Sequence, residues 1–80
     1  MLRWPLFVLL VQALADAERC VSLRPEWAKG YTRKAAALHG LRRYVAAIDA
    51  YEAALEFEPA SEGLTAGRRQ SSFALAIEGD

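Results

Sequence analysis

The stretch Lys-Gly-Tyr-Thr-Arg-Lys-Ala-Ala-Ala-Leu, residues 29–38, decides the fold of this 80-residue chain. Within it, Tyr31, Ala35 and Leu38 recur at i, i+4 and i+7, which is the spacing of one apolar face of an α-helix. Gly40 follows, and glycine at this place is typical of a helix C-terminus in the left-handed conformation. The pattern therefore predicts an amphipathic helix that ends at about Gly40.

A basic pair lies on another face of the same predicted helix. Lys29 and Arg33 are four residues apart, so in a helix both cations can reach one anion. On an arbitrary helix such a pair is usually no more than a solvated basic face. A binding role for the pair therefore depends on the surrounding sequence.

A second helical pattern runs from about Tyr44 to Phe57, with Tyr44, Ile48, Tyr51 and Leu55 on one face. When residues 10–25 are shifted forward by 34 positions they align with residues 44–59, and each segment ends in a proline. A 34-residue period of helices is the mark of a tetratricopeptide repeat. The sequence therefore predicts an all-α fold of antiparallel helical hairpins from a repeat solenoid.

The predicted solenoid has about one and a half repeats and a capping helix. Residues 1–10 are predicted as an apolar extension of the first helix, 11–25 as the second helix of a partial repeat, 26–60 as a complete repeat, and 61–80 as a capping helix with a frayed tail. The predicted helices are Leu6–Leu23, Ala28–His39, Tyr44–Phe57 and Ser61–Ile77. Ser61 is the expected N-cap of the last helix, whose weaker pattern is Leu64, Arg68, Phe73 and Ile77, with Gly67 lowering its stability.

Residues 1–15 allow a second interpretation, in which they form a cleaved signal peptide and the product is a small secreted helical protein. The apolar run Leu6–Val11 and the small-x-small triplet at residues 13–15 have that form. The run is shorter than the roughly 20 apolar residues that cross a bilayer, so no membrane anchor is expected. The helix interpretation is preferred because cleavage after Ala15 would cut through an apolar helical face.

Composition and spacing argue against several classes of function. Ten basic and ten acidic residues balance, whereas a dedicated nucleic-acid binder usually has a basic excess. Cys20 is single, so it forms no internal disulfide or zinc site and is expected to be a small buried apolar residue. His39 is predicted to lie on the surface near a helix end. No catalytic triad, phosphate loop or metal motif is present, which predicts a non-enzymatic chain without cofactor.

With residues 25–38, Arg43-Tyr44 and Ala47-Ile48 taken together, the chain resembles the tetratricopeptide-repeat co-chaperones. It is most similar to the stress-inducible, heat-shock-protein-organising (Hop/Sti) type, over roughly residues 11–70. The resemblance implies a cytoplasmic protein that binds the C-terminal Glu-Glu-Val-Asp of the seventy- and ninety-kilodalton heat-shock chaperones. It also implies that Lys29 and Arg33 are two basic members of a carboxylate clamp, beside the possible groove-lining residues Thr32, Ala36 and Ala37.

The resemblance covers only part of that clamp. In the family, a lysine and two asparagines of the clamp come from earlier helices, and this chain contains none of those helices. A partial repeat array also leaves apolar surface uncovered. We therefore expect self-association or weak cooperative stability. The alternative function is a structural, self-associating repeat fragment that binds no peptide.

Overall fold

The computed structural model describes residues 5–79, which form four α-helices joined by short turns. They are α1 (Leu6–Leu23), α2 (Ala28–Gly40), α3 (Tyr44–Phe57) and α4 (Glu62–Glu78). Each helix packs mainly on its neighbour in sequence, which confirms the predicted all-α stack of helical hairpins. The predictions for residues 1–4 and 80 lie outside the described residues. In the part described, no helix has the length and apolar character needed to cross a membrane.

The 34-residue period is present in the backbone as well as in the sequence. Arg24 and Glu58, 34 positions apart, are the C-caps of α1 and α3, and their backbone angles are φ −137°, ψ 75° and φ −137°, ψ 70°. A proline follows each of them, and proline moves the preceding residue out of the helical region. Pro25 and Pro59 therefore end two helices in the same way.

The prediction that Gly40 adopts a left-handed conformation was wrong, because α2 continues through it and Arg42 has the positive φ instead, at 64°. The turn is held by the Arg43 amide, which donates to the Leu38 carbonyl at 2.9 Å. Position 40 is instead a point of close approach between α1 and α2. A Cβ there would lie 2.7 Å from Cδ2 of Leu10, so the missing side chain lets α1 approach α2.

Small residues form most of the core. The buried apolar residues are Ala17, Ala28, Ala35, Ala37, Leu38, Tyr44, Ala47, Ala50, Ala54 and Leu64. On α2 the predicted apolar face is confirmed: two of its members are in this set, and Tyr31 stacks on Phe57 with ring centroids 6.0 Å apart. Alanine at the contact points lets neighbouring helices pack closely.

The predicted packing face of α3 was only partly right. Tyr44 is buried, but Ile48, Tyr51 and Leu55 are only half-buried. Ala47 and Ala54 lie deepest in α3, because their short side chains face the neighbouring helices. The larger side chains therefore cover the edges of the contact rather than its centre.

The capping helix α4 begins as predicted but presents a different face. Ser61 is its N-cap, with the Leu64 amide donating to Ser61 Oγ at 3.2 Å. Phe73 and Ile77, assigned to the apolar pattern, are 67% and 66% exposed. Leu64, from the same pattern, is buried, and the other buried position of α4 is Ser71.

His39 and Ser71 link α2 to α4. Ser71 is fully buried, and its Oγ forms a 2.9 Å hydrogen bond with Nδ1 of His39. The imidazole also meets the Tyr44 ring edge-on at 5.2 Å. The predicted free surface role of His39 is therefore corrected to a half-buried contact between helices.

Candidate functional site

An open groove of about 440 Å³ lies between α1 and α2. Its α1 wall consists of Leu10, Ala13, Asp16, Ala17 and Cys20, and its α2 wall consists of Arg33, Ala36 and Ala37. Small side chains on both helices leave this space, since alanine fills little of the distance between two helix axes. The groove thus has apolar walls with one acidic and one basic group.

Three of the five residues predicted for the site, Arg33, Ala36 and Ala37, line this groove. Lys29 is exposed one helical turn before Arg33 and is not part of the lining. Thr32 is half-buried, and its hydroxyl donates to the Ala28 carbonyl at 3.0 Å. That bond within the helix occupies the hydroxyl donor, so Thr32 contributes mainly its methyl group.

The two cations of the predicted pair are free of acidic partners. Lys29 and Arg33 are both exposed, and neither has a carboxylate within 4.0 Å among residues 5–79. Two other cations in the described part of the chain are paired: Arg68 lies 3.7 Å from Glu52, and Arg42 lies 3.7 Å from Glu78. The basic pair on α2 is therefore available to an external anion.

Trp27, the N-cap residue of α2, contacts two arginines. The guanidinium carbon of Arg33 lies 5.3 Å from the Trp27 ring centroid, and that of Arg24 lies 5.6 Å away. A cation over an aromatic face is attracted by the ring quadrupole, by about 0.5–1 kcal/mol at exposed sites. An aromatic residue close in sequence to several cations was the available signal for this cluster.

Asp16 and Cys20 complete the α1 wall. Asp16 faces the groove, so an anionic ligand has to avoid its carboxylate. Cys20, predicted to be a small buried apolar residue, is only half-buried and adds apolar surface to the wall. Within the described residues, no group of three His, Cys, Asp or Glu side chains is placed to hold a metal ion.

Comparison with known proteins gives relatives of one kind. No protein-family model matches the chain, and no solved structure gives a significant match. The chain is 50% identical over 64 residues to the Hsp70–Hsp90 organizing protein of Triticum aestivum, covering 80% of this chain and 11% of the relative. It is 54% identical over 46 residues to the heat shock protein sti1 homolog of Schizosaccharomyces pombe, covering 58% of this chain and 8% of that protein.

A third relative gives the same result. The chain is 41% identical over 61 residues to the Hsp70–Hsp90 organizing protein 3 of Arabidopsis thaliana, covering 76% of this chain and 11% of the relative. The chain thus spans about a tenth of the length of these curated relatives. By sequence, it is related to the Hsp70–Hsp90 organizing (Hop/Sti) co-chaperones, and its helical hairpins are consistent with a partial tetratricopeptide-repeat domain of that family.

Proposed function

We propose that this chain is a cytoplasmic, non-catalytic protein-binding module that captures the acidic C-terminal tail of a seventy- or ninety-kilodalton heat-shock chaperone. Lys29 and Arg33 bind the terminal carboxylate. The observation that carries the proposal is the pair itself. Lys29 and Arg33 are exposed, lie one helical turn apart and have no carboxylate within 4.0 Å among residues 5–79. The names of the relatives, which refer to Hsp70 and Hsp90, support the choice of partner.

The chemistry of the two side chains suits a carboxylate. The planar guanidinium of Arg33 can donate two parallel hydrogen bonds to both carboxylate oxygens, and Lys29 adds a compact charge with three donors. Ala36 and Ala37 supply an apolar wall beside Arg33, with Leu10 opposite them on α1. An apolar side chain next to the terminal acid can therefore enter the groove while the acid stays at the cations.

The expected affinity is low. Hydrogen bonds to charged groups contribute about 1.5–3 kcal/mol each, so the pair contributes about 3–6 kcal/mol. The loss of translational and rotational freedom on association costs about 4–15 kcal/mol. Binding by this segment should therefore be no tighter than about millimolar, unless apolar contacts or a second copy add to it.

The first prediction is selective binding of a free C-terminal acid. Titration of ¹⁵N-labelled protein with a Glu-Glu-Val-Asp peptide at low salt should move the amide resonances of α2, and the C-terminal amide of the same peptide should bind more weakly. Lys29→Ala and Arg33→Ala should each weaken binding, because each removes one charge-assisted contact. Added salt should weaken it as well, since exposed charges are screened.

Arg69→Ala is the matched control for this experiment, because it removes an equal charge from an exposed position on α4. It should leave the titration unchanged. Equal binding of the acid and the amide, or equal loss in all three variants, would show that the assigned site is wrong.

A second candidate function is supported by one observation. Leu6 and Phe7 on α1 are 70% and 66% exposed, and such side chains favour association of helices in water. Under this alternative the chain assembles through α1 and binds no peptide. The peptide titration and the oligomeric state distinguish the two functions.

A further inference from the structure

The segment between α1 and α2 brings a second arginine close to the proposed site. Arg24 is exposed at the C-cap of α1, and its guanidinium lies over the same Trp27 ring as that of Arg33. Because each guanidinium carbon is within 5.6 Å of the ring centroid, the two groups lie within twice that distance of each other. Arg24, like Arg33, has no described carboxylate within 4.0 Å.

We propose that Arg24 is a third cationic contact of the acidic-peptide site, and that Trp27 is the positioning residue that holds Arg24 and Arg33 together. Arg24 takes an acidic side chain of the tail, while Lys29 and Arg33 hold the terminal carboxylate. The proposal rests on the proposed function, since it assumes that the ligand is an acidic C-terminal peptide.

Trp27 is suited to this role because its backbone is fixed on both sides. Its amide donates to the Arg24 carbonyl at 3.1 Å, and its own carbonyl accepts from the Gly30 amide at 3.1 Å. Its side chain is half-buried, whereas both arginines are exposed. The ring is therefore the ordered member of the cluster, and the two flexible side chains are held against it.

Electrostatics explains why an anion should bind here. Two guanidinium groups near one ring repel each other, and the negative faces of the indole offset part of that repulsion. A carboxylate next to the two guanidinium groups lowers this repulsion further. It can also accept two parallel hydrogen bonds from the planar guanidinium of an arginine.

The same segment also contains a nearby surface recess and one opposing charge. The recess, of about 420 Å³, is lined by Leu23, Arg24, Pro25, Glu26 and Trp27. Glu26 offsets only one of the two arginine charges, so the cluster stays cationic. The recess gives a ligand side chain room to reach Arg24.

The experiment compares two peptides on two proteins. Glu-Glu-Val-Asp and Ala-Ala-Val-Asp share the terminal acid but differ in the side chains assigned to Arg24. In a ¹⁵N NMR titration at low salt, Arg24→Ala should lower the affinity for Glu-Glu-Val-Asp by about two- to fivefold, the size of an exposed charge pair. It should leave the affinity for Ala-Ala-Val-Asp unchanged. Arg19→Ala, which removes an exposed arginine from α1, is the matched control and should affect neither peptide.

The positioning role of Trp27 has its own measurement. The Nε–Hε resonances of Arg24 and Arg33 should carry a ring-current shift that Trp27→Leu removes and Trp27→Phe largely keeps. Circular dichroism checks that each variant keeps its helices, and Trp27→Phe keeps the test usable if Trp27→Leu fails to fold. Arginine resonances that are the same in Trp27→Phe, Trp27→Leu and the unchanged chain would overturn the positioning role.

The outcomes separate this inference from the proposed function. If Arg33→Ala weakens binding but Arg24→Ala has no effect, or affects both peptides equally, the role of Arg24 is refuted and the Lys29–Arg33 site stands. If the unchanged chain binds neither free-acid peptide, the proposed function fails and this inference fails with it.

Discussion

The two terminal helices are attached to the central hairpin in different ways. Helix α4 has a serine N-cap, the buried His39–Ser71 hydrogen bond and an ion pair between Arg68 and Glu52. The Tyr44 hydroxyl also donates to Oε1 of Glu78 at 2.9 Å. Helix α1 has no side-chain cap, and none of its side chains forms a hydrogen bond within residues 5–79.

The difference shows how each helix is specified. Hydrogen bonds have narrow distance and angle requirements, so they fix the rotation of α4 about its axis. Apolar packing is less directional, and α1 has Ala17 as its one buried residue. Helix α1 therefore keeps an open apolar surface and the groove next to Arg33, whereas α4 covers the end of the hairpin.

The largest expected effect is at Gly67, where α4 contacts α3. A Cβ at this position would lie 2.5 Å from Cζ of Tyr51, so alanine displaces a packed aromatic ring. Overpacking costs about 1–3 kcal/mol, and the better helix propensity of alanine returns up to about 1 kcal/mol. We expect Gly67→Ala to lower the free energy of unfolding by about 1–2 kcal/mol, measured by urea denaturation.

Two other glycine substitutions are the controls. At Gly40 the close atoms belong to the flexible end of Leu10, which can move, so Gly40→Ala should be nearly neutral. At Gly63 the nearest atom is Ser61 Oγ at 3.9 Å, so Gly63→Ala should stabilise α4 by a few tenths of a kcal/mol. An equal loss of stability in Gly67→Ala and Gly40→Ala would contradict this distinction between the packed ring of Tyr51 and the movable end of Leu10.

Features that depend on neighbouring residues could be predicted from the sequence. The stops before Pro25 and Pro59 and the cap at Ser61 follow from local backbone chemistry, and the 34-residue period gave the order of the helices. The spacing of Lys29 and Arg33 likewise places both on one side of α2. Each of these helix ends, caps and spacings is determined by residues within one or two helical turns of it.

Features that depend on how helices meet could not be predicted in this way. Gly40 serves the approach of Leu10, which is 30 positions earlier, and His39 pairs with Ser71, which is 32 positions later. Neither contact follows from the period of a single helix. In the candidate site, the spacing of the basic pair could be predicted from neighbouring residues of one helix. The position of Asp16 in the groove and the contacts of Trp27 with two arginines depend on how α1 packs against α2.

The next prediction concerns the exposed apolar residues Leu6 and Phe7 of α1, where an introduced positive charge should reduce self-association. Full burial of a phenylalanine is worth about 1.5–3 kcal/mol, and partial burial of Phe7 between copies is worth about half as much. We expect Phe7→Lys to weaken association by about fivefold, or about 1 kcal/mol, in sedimentation equilibrium over a range of protein concentrations.

Phe73→Lys tests whether the effect belongs to α1. Phe73 is 67% exposed on α4, close to the 66% of Phe7, so the two substitutions introduce the same charge at equally exposed positions. Only Phe7→Lys should shift the equilibrium. A concentration-independent monomer, or a shift caused by Phe73→Lys alone, would rule out association through α1.

The smallest effect is the pH dependence contributed by Tyr51, which packs against α4. Burial raises the pKa of the Tyr51 phenol above its ordinary value of about 10. The unfolded chain therefore loses this proton at a lower pH than the folded chain does. The stabilising contribution is complete below about pH 10 and is lost as the pH rises through the folded-state pKa. Urea denaturation from pH 8 to pH 11 should show a smaller alkaline loss of stability for Tyr51→Phe than for the unchanged chain, because phenylalanine has no proton to lose. Tyr31 and Tyr44 remain in both proteins, so the difference between the two losses belongs to Tyr51. Equal losses would show that the contact between Tyr51 and Gly67 does not shield the phenol.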